Sequence, residues 1–107
     1  MDRTLDLDDV GRLPTPDDNV AVAVRRVEAG TRIASDGGDY ALSHTVLEGH
    51  RFAVRPIPAG DLLQSWGLPF GRAIRLIRTG DYACNPQILE ALRIRGLDFE
   101  LPRQPNF

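Results

Sequence analysis

Lysine is absent from this chain, and all 13 of its basic residues are arginine. A GC-rich coding bias explains that blandly, although the planar guanidinium is also the side chain best matched to carboxylates. Cysteine is nearly absent too. Cys84 stands alone among 107 residues, which excludes an intramolecular disulfide framework. No stretch approaches the roughly 20 apolar residues that a membrane helix needs. Met1 to Val10 holds four aspartates and no apolar run, so it does not read as a signal peptide. A cytoplasmic protein without membrane contact is the expectation. The formal net charge of -2 gives no case for a general nucleic-acid binder. Also missing are an Asp/Glu pair at useful spacing, a Ser-His arrangement and a phosphate-cradling glycine loop. This chain is not expected to catalyse a reaction alone.

What is present is one domain's worth of sequence with ordinary apolar content and a recurring phrase. Val54-Arg55-Pro56-Ile57-Pro58-Ala59-Gly60-Asp61 and Ile74-Arg75-Leu76-Ile77-Arg78-Thr79-Gly80-Asp81 share a pattern that Val24-Arg25-Arg26-Val27-Glu28-Ala29-Gly30-Thr31 anticipates. Each copy sets a branched apolar residue three positions before a glycine and an arginine two positions before that residue. Branched side chains suit half-buried strands, and glycine adopts positive φ without a Cβ clash. Three strand-turn units in a mostly β domain follow, with Gly30, Gly60 and Gly80 at the turns.

Around these units the chain reads as follows. Residues 1 to 15 form an acidic lead-in, interrupted by Pro14, closed off by Pro16 just beyond it and expected to be extended. Asn19 to Val27 alternates large Val20, Val22 and Val24 with small Ala21 and Ala23, a strand with both faces partly covered. Thr31 to Ala34 returns, Asp36-Gly37-Gly38-Asp39 turns, and Tyr40 to Leu47 runs on with Leu42 and Val46 buried. Glu48 to Arg51 is a further turn. Asp61 to Trp66 is a strand, and Gly67 to Gly71 a loop. Asn85-Pro86 starts a single short helix, with Asn85 as cap and Gly96 as stop. Leu97, Phe99 and Leu101 alternate with acidic residues as a short strand, an apolar edge on which a partner would dock.

These residues, taken jointly, resemble a known family. Asp18 to Ala23, then Ala29-Gly30 with Ile33, is similar to the opening of the small domain of altronate and galactarate dehydratases. Gly49-His50 with Ala53, Ile57 and Gly60 resembles its middle, and Gly67, Gly71, Ala73, Ile77 and Gly80 its closing segment. The resemblance spans roughly residues 16 to 85 and implies a SAF-type domain of the β-clip fold, shared with sialic acid synthase tails and type III antifreeze proteins. In those dehydratases this domain precedes, or accompanies as a separate small chain, a much larger chain that carries most of the active site. The resemblance departs at one place. Where members of the family commonly carry His-x-His-x-His-Asn, this chain has Tyr82, Cys84 and Pro86 in the histidine positions.

Removing water from a hydroxy acid requires a base beside the carboxylate and a cation for the dianion that results. His50 is the residue expected as base or metal ligand, since a neutral imidazole does either near pH 7. His44, with no motif about it, is expected to be structural. Cys84 is a candidate soft ligand, set against the usual role of a lone buried cysteine as a small hydrophobe. Arg72 (with Arg75), Asp81 and Asn85 are candidates for binding a sugar acid. Two functions are implied. One is the small subunit of a sugar-acid hydro-lyase, working with a large dehydratase chain, with a divalent metal such as Fe2+ or Mn2+ in the assembly and a possible homo-oligomer. The other is a non-catalytic β-clip module that binds a carbohydrate or a protein.

Overall fold

The computed structural model describes residues 4–35 and 38–107. Among these described residues nine short strands and two helices follow in chain order: β1 (Thr4–Asp6), α1 (Leu7–Val10), β2 (Gly11–Arg12), β3 (Val20–Ala23), β4 (Arg32–Ser35), β5 (Gly38–Ala41), β6 (Arg51–Ala53), β7 (Leu62–Ser65), β8 (Leu68–Arg72), β9 (Tyr82–Ala83) and α2 (Pro86–Ile94). They build a three-stranded sheet in the order β1-β4-β5, a four-stranded sheet β2-β3-β6-β9 and the hairpin β7-β8. The protein is mostly β with a short carboxyl-terminal helix, as expected of a small SAF-like domain.

The recurring phrase occurs four times. Val46 stands three residues before Gly49 and adds a copy in which His44 replaces the arginine. In every copy the branched residue is a buried hook: Val27 is 3% exposed, Val46 0%, Ile57 1% and Ile77 0%. The hooks pair. Val27 and Val46 exchange two backbone hydrogen bonds, both 2.9 Å, and Ile57 and Ile77 do the same at 2.8 and 2.9 Å. Beyond each hook the glycine is the third residue of a four-residue turn, closed by Thr31 N–H to Glu28, His50 to Leu47, Asp61 to Pro58 and Asp81 to Arg78. That position of a type II turn requires positive φ. The values are 80° at Gly30, 85° at Gly49, 92° at Gly60 and 92° at Gly80.

Each clasp has its own core. Val27 and Val46 belong to the larger one, with Val10, Ala21, Ala23, Ile33, Leu42, Phe52, Tyr82, Cys84 and Leu92. Ile57 and Ile77 belong to the smaller one, with Val20, Ala53, Leu63, Ala73 and Ala83. The central sheet divides them, because successive side chains of a strand face opposite ways. Ala21, Phe52 and Tyr82 face the larger core, while Val20, Ala53 and Ala83 face the smaller. Both faces of β3 are therefore covered. The small face is the one buried against Phe52, and Val24 of the branched series is 41% exposed.

Three local expectations are corrected. The lead-in carries a strand and a helical turn: β1 pairs parallel with β4, and Val10 is fully buried in the larger core. Residues 67 to 71 are no loop, since β8 pairs antiparallel with β7 across a two-residue turn at Trp66 and Gly67, with φ of 58° and 72°. Two positive φ values make the primed turn whose twist suits a hairpin. Leu97 to Leu101 forms no strand. These residues are half-buried on the molecule itself, Leu97 and Leu101 against the larger core and Phe99 beneath the Arg26 guanidinium at 4.9 Å, so they are not a free docking edge. Of the turn expected over residues 36 to 39, Asp36 and Gly37 lie outside the described residues.

The tryptophan at positive φ is held from a distance. Asp18, 0% exposed, accepts hydrogen bonds from the amides of Trp66 and Gly67, each 2.9 Å, and from the amide and hydroxyl of Thr15 at 3.1 and 2.8 Å. Burial pulls the Asp18 carboxyl upward, but the bonds from Gly67, Thr15 and Trp66 together outweigh it and set the pKa below the ordinary carboxylate value.

Candidate functional site

Strand pairing brings His50 to a site. β6 and β9 run antiparallel with Phe52 opposite Tyr82. His50 lies two residues before Phe52 and hence on the same face, diagonal to Tyr82. The Tyr82 hydroxyl meets Nδ1 of His50, and the two rings stand edge to face with centroids 5.8 Å apart. The backbone of His50 is tied down as well: its N–H donates to Leu47 at 3.0 Å and its carbonyl accepts from Ala23 at 2.8 Å. Burial first, then the Arg95 and Arg51 charges, lower the His50 pKa from its ordinary value, so the ring is neutral at pH 7. Burial raises that of Tyr82 well above the usual phenol range, and its hydroxyl stays protonated.

His50 lines a cleft of about 310 Å³ with Arg51, Phe70, Asn85, Ile88 and Phe107. Arg51 lies over the Phe70 ring at 5.0 Å, and Phe70 packs edge to face with Phe107 at 5.4 Å. A cation on an aromatic floor beside a neutral imidazole suits an anionic ligand with apolar parts.

The remaining candidates do not converge there. Asn85 borders the same cleft, but its Oδ1 accepts the Ile88 amide at 2.8 Å and caps α2, as its position before Pro86 foretells. Asp81 lies on another cleft, of about 410 Å³, lined also by Ser43, His44, Arg75, Arg103 and Gln104. There its carboxylate accepts the Arg78 amide at 2.9 Å, and Arg75 makes two 2.8 Å bonds to Gln104. Arg72 borders neither cleft, and its guanidinium donates to the Gly60 carbonyl. Cys84 is fully buried. Asn106 brackets it, accepting its amide at 3.0 Å and donating from its own backbone to the Cys84 carbonyl at 2.9 Å. Burial keeps the thiol protonated by raising its pKa.

Metal ligation requires a deprotonated thiol and several converging donors. Among the described residues no group of three or more His, Cys, Asp or Glu side chains is placed to hold an ion. His50 and Cys84 therefore do not make a centre by themselves. Sequence reasoning missed Tyr82, Arg51, Phe70 and Phe107 as neighbours of His50. Only the pairing of β6 with β9 would have named Tyr82.

The matched segment decides the family. Residues 13–90 match the altronate/galactarate dehydratase SAF domain. This chain belongs to that family. It is 38% identical over 63 residues to an altronate dehydratase of Escherichia coli (strain K12), covering 59% of this chain and 13% of the relative. It is also 29% identical over 65 residues to an altronate dehydratase of Bacillus subtilis (strain 168), covering 61% of this chain and 13% of that relative. The SAF segment is thus a small part of those curated dehydratases. None of the helices among the described residues is long and apolar enough to cross a membrane.

Proposed function

We propose that this chain is the small SAF portion of a sugar-acid hydro-lyase of the altronate/galactarate type, and that a large dehydratase chain completes its site. The observation that carries the reading is the family match joined to the cleft at His50, where a neutral imidazole, Arg51 and an aromatic floor come together. Elimination beside a carboxylate needs a base, a cation site and an acid for the leaving hydroxyl in one pocket. The cleft supplies one corner of that set, with Asn85 at its edge. Asp81 and Arg72 would reach substrate only if the large chain extended the site past this cleft. A divalent cation such as Fe2+ or Mn2+ would draw its donors from the large chain, since His50 and Cys84 provide no set here.

The large chain also gives the exposed apolar residues a role. Leu62 (44% exposed), Trp66 (59%), Leu68 (68%) and Phe70 (39%) lie on or between β7 and β8, and Ile74 (64%) and Leu76 (52%) follow in the next loop. Such a concentration marks an interaction surface. We assign it to the large chain because some 87% of each matched dehydratase lies outside the SAF segment, from 13% covered.

The test is reconstitution. Alone, the chain should form no 2-keto product from altronate or galactarate. Mixed with the large dehydratase chain of the same source it should co-purify and restore turnover, and His50→Ala should lower turnover without breaking the complex. A large chain fully active without this protein would overturn the subunit reading in favour of a non-catalytic SAF module for a carbohydrate or protein.

A further inference from the structure

The two nitrogens of His50 have different surroundings. Nδ1 meets the Tyr82 hydroxyl. Among the described residues Nε2 has no hydrogen-bond partner, yet it is not one of their enclosed unpartnered polar atoms, where only the Tyr40 hydroxyl is found. It is therefore not enclosed, and His50 lines the cleft shared with Arg51 and Phe70. Tyr82 is a different case. It is 2% exposed, and His50 is the one protein group its hydroxyl meets among the described residues. A phenol carries one proton to donate, and a neutral imidazole has one nitrogen that accepts. Were Nδ1 to hold the proton, the Tyr82 hydroxyl would accept it and leave its own proton enclosed without a partner. Buried donors are rarely left so.

We infer that Tyr82 is a positioning residue: it donates to Nδ1 of His50 and so fixes the imidazole proton on Nε2, the nitrogen that is not enclosed. His50 then enters its site as a hydrogen-bond donor, and the ligand atom it takes is an acceptor oxygen, of a carboxylate or hydroxyl, rather than a metal ion. Arg51, in the same cleft, adds a cation suited to the same class of ligand. The neutral state of the ring, set by its burial and the nearby Arg95 and Arg51 charges, is consistent with this tautomer. The inference deepens the proposed site and rests on that reading for the ligand's class, but the tautomer itself does not depend on a dehydratase partner.

The experiment uses the 107-residue chain alone. Long-range proton–nitrogen correlation NMR on histidine-labelled protein at neutral pH should show His50 protonated on Nε2. A Tyr82 hydroxyl proton should be visible and coupled to Nδ1. In Tyr82→Phe that proton signal should be lost, the Nδ1 resonance should shift toward that of an unbonded ring nitrogen, and an Nδ1-protonated form should appear. Wild-type His50 protonated on Nδ1 would overturn the inference, as would a folded Tyr82→Phe variant whose Nδ1 resonance has not moved. Should Tyr82→Phe not fold, the wild-type spectrum decides by itself. Failed reconstitution with a large chain would leave these spectra unchanged, so the two readings fail separately.

Discussion

The first clasp, Val27 with Val46, and the second, Ile57 with Ile77, are the same backbone device in different settings. Their hook-to-hook bonds agree to within 0.1 Å. Their flanks agree too: Ala23, Leu42, Ala53 and Ala73, each four residues before a hook, are all buried and bonded to the far turn. The surroundings differ. Around the first clasp lie the amino-terminal segment, α2 and the carboxyl-terminal tail, which join in one core that includes Tyr82. Around the second lies a thinner core, with Leu62, Leu68, Ile74 and Leu76 open nearby. A repeated phrase fixes the clasp, while the segments between repeats determine what each clasp can carry. The thicker half buries Tyr82 where its hydroxyl meets His50, and the thinner half is left with apolar surface.

The hooks should break this equivalence most strongly. Ile57→Ala and Ile77→Ala each remove three buried carbons and should destabilise by about 3 kcal/mol, against about 2 for Val27→Ala and Val46→Ala. Urea titration of the four variants would measure the difference. Equal losses would mean that the smaller core collapses around the gap.

Asp18 should come next. Asp18→Ala leaves the Trp66, Gly67 and Thr15 donors without their acceptor, and a loss of roughly 2 to 3 kcal/mol is expected. Its lowered pKa also has a sign. Because the folded value lies below the unfolded 3.8, the contribution is complete above that pH and disappears as pH falls through the folded value. Asp18→Asn should therefore flatten the acid limb of the stability profile below about pH 4, a comparison that acid titration of both proteins would make. An unchanged limb would assign acid unfolding to other carboxylates.

The turn glycines should give the smallest effects and the clearest asymmetry. At Gly30, Gly49 and Gly60 an added Cβ meets nothing within 4 Å, so alanine suffers only the positive φ, about 1 kcal/mol. At Gly80 the same Cβ would run into the Ala41 carbonyl oxygen, which is backbone and cannot swing aside. Gly80→Ala should thus lower the melting temperature at least twice as far as the other three. Four equal shifts would show that the crossing beside Gly80 is slack.

Much of this was legible residue by residue. The glycine turns, the buried Leu42 and Val46, and the Asn85 cap on α2 follow from steric and hydrogen-bonding preferences that act within a few positions. The fourth copy of the phrase was harder to read because His44 interrupts the arginine pattern, although the spacing from Val46 to Gly49 is intact. The hairpin at Trp66-Gly67 was hidden for a different reason: tryptophan is a poor candidate for positive φ. The acceptor that holds it, Asp18, is 48 positions away.

By itself, then, the sequence determined where the chain turns, where its second helix begins and which branched residues become hooks. These depend on glycine's missing Cβ, the reach of an asparagine side chain and the preference of apolar groups for burial. Only the tertiary structure decided which residues meet. His50 and Tyr82 are 32 positions apart, and Cys84 and Asn106 are 22 apart. No local preference encodes such a pairing. It follows from the register of β6 on β9 and the path of the tail across Cys84, which are fixed only when both cores close.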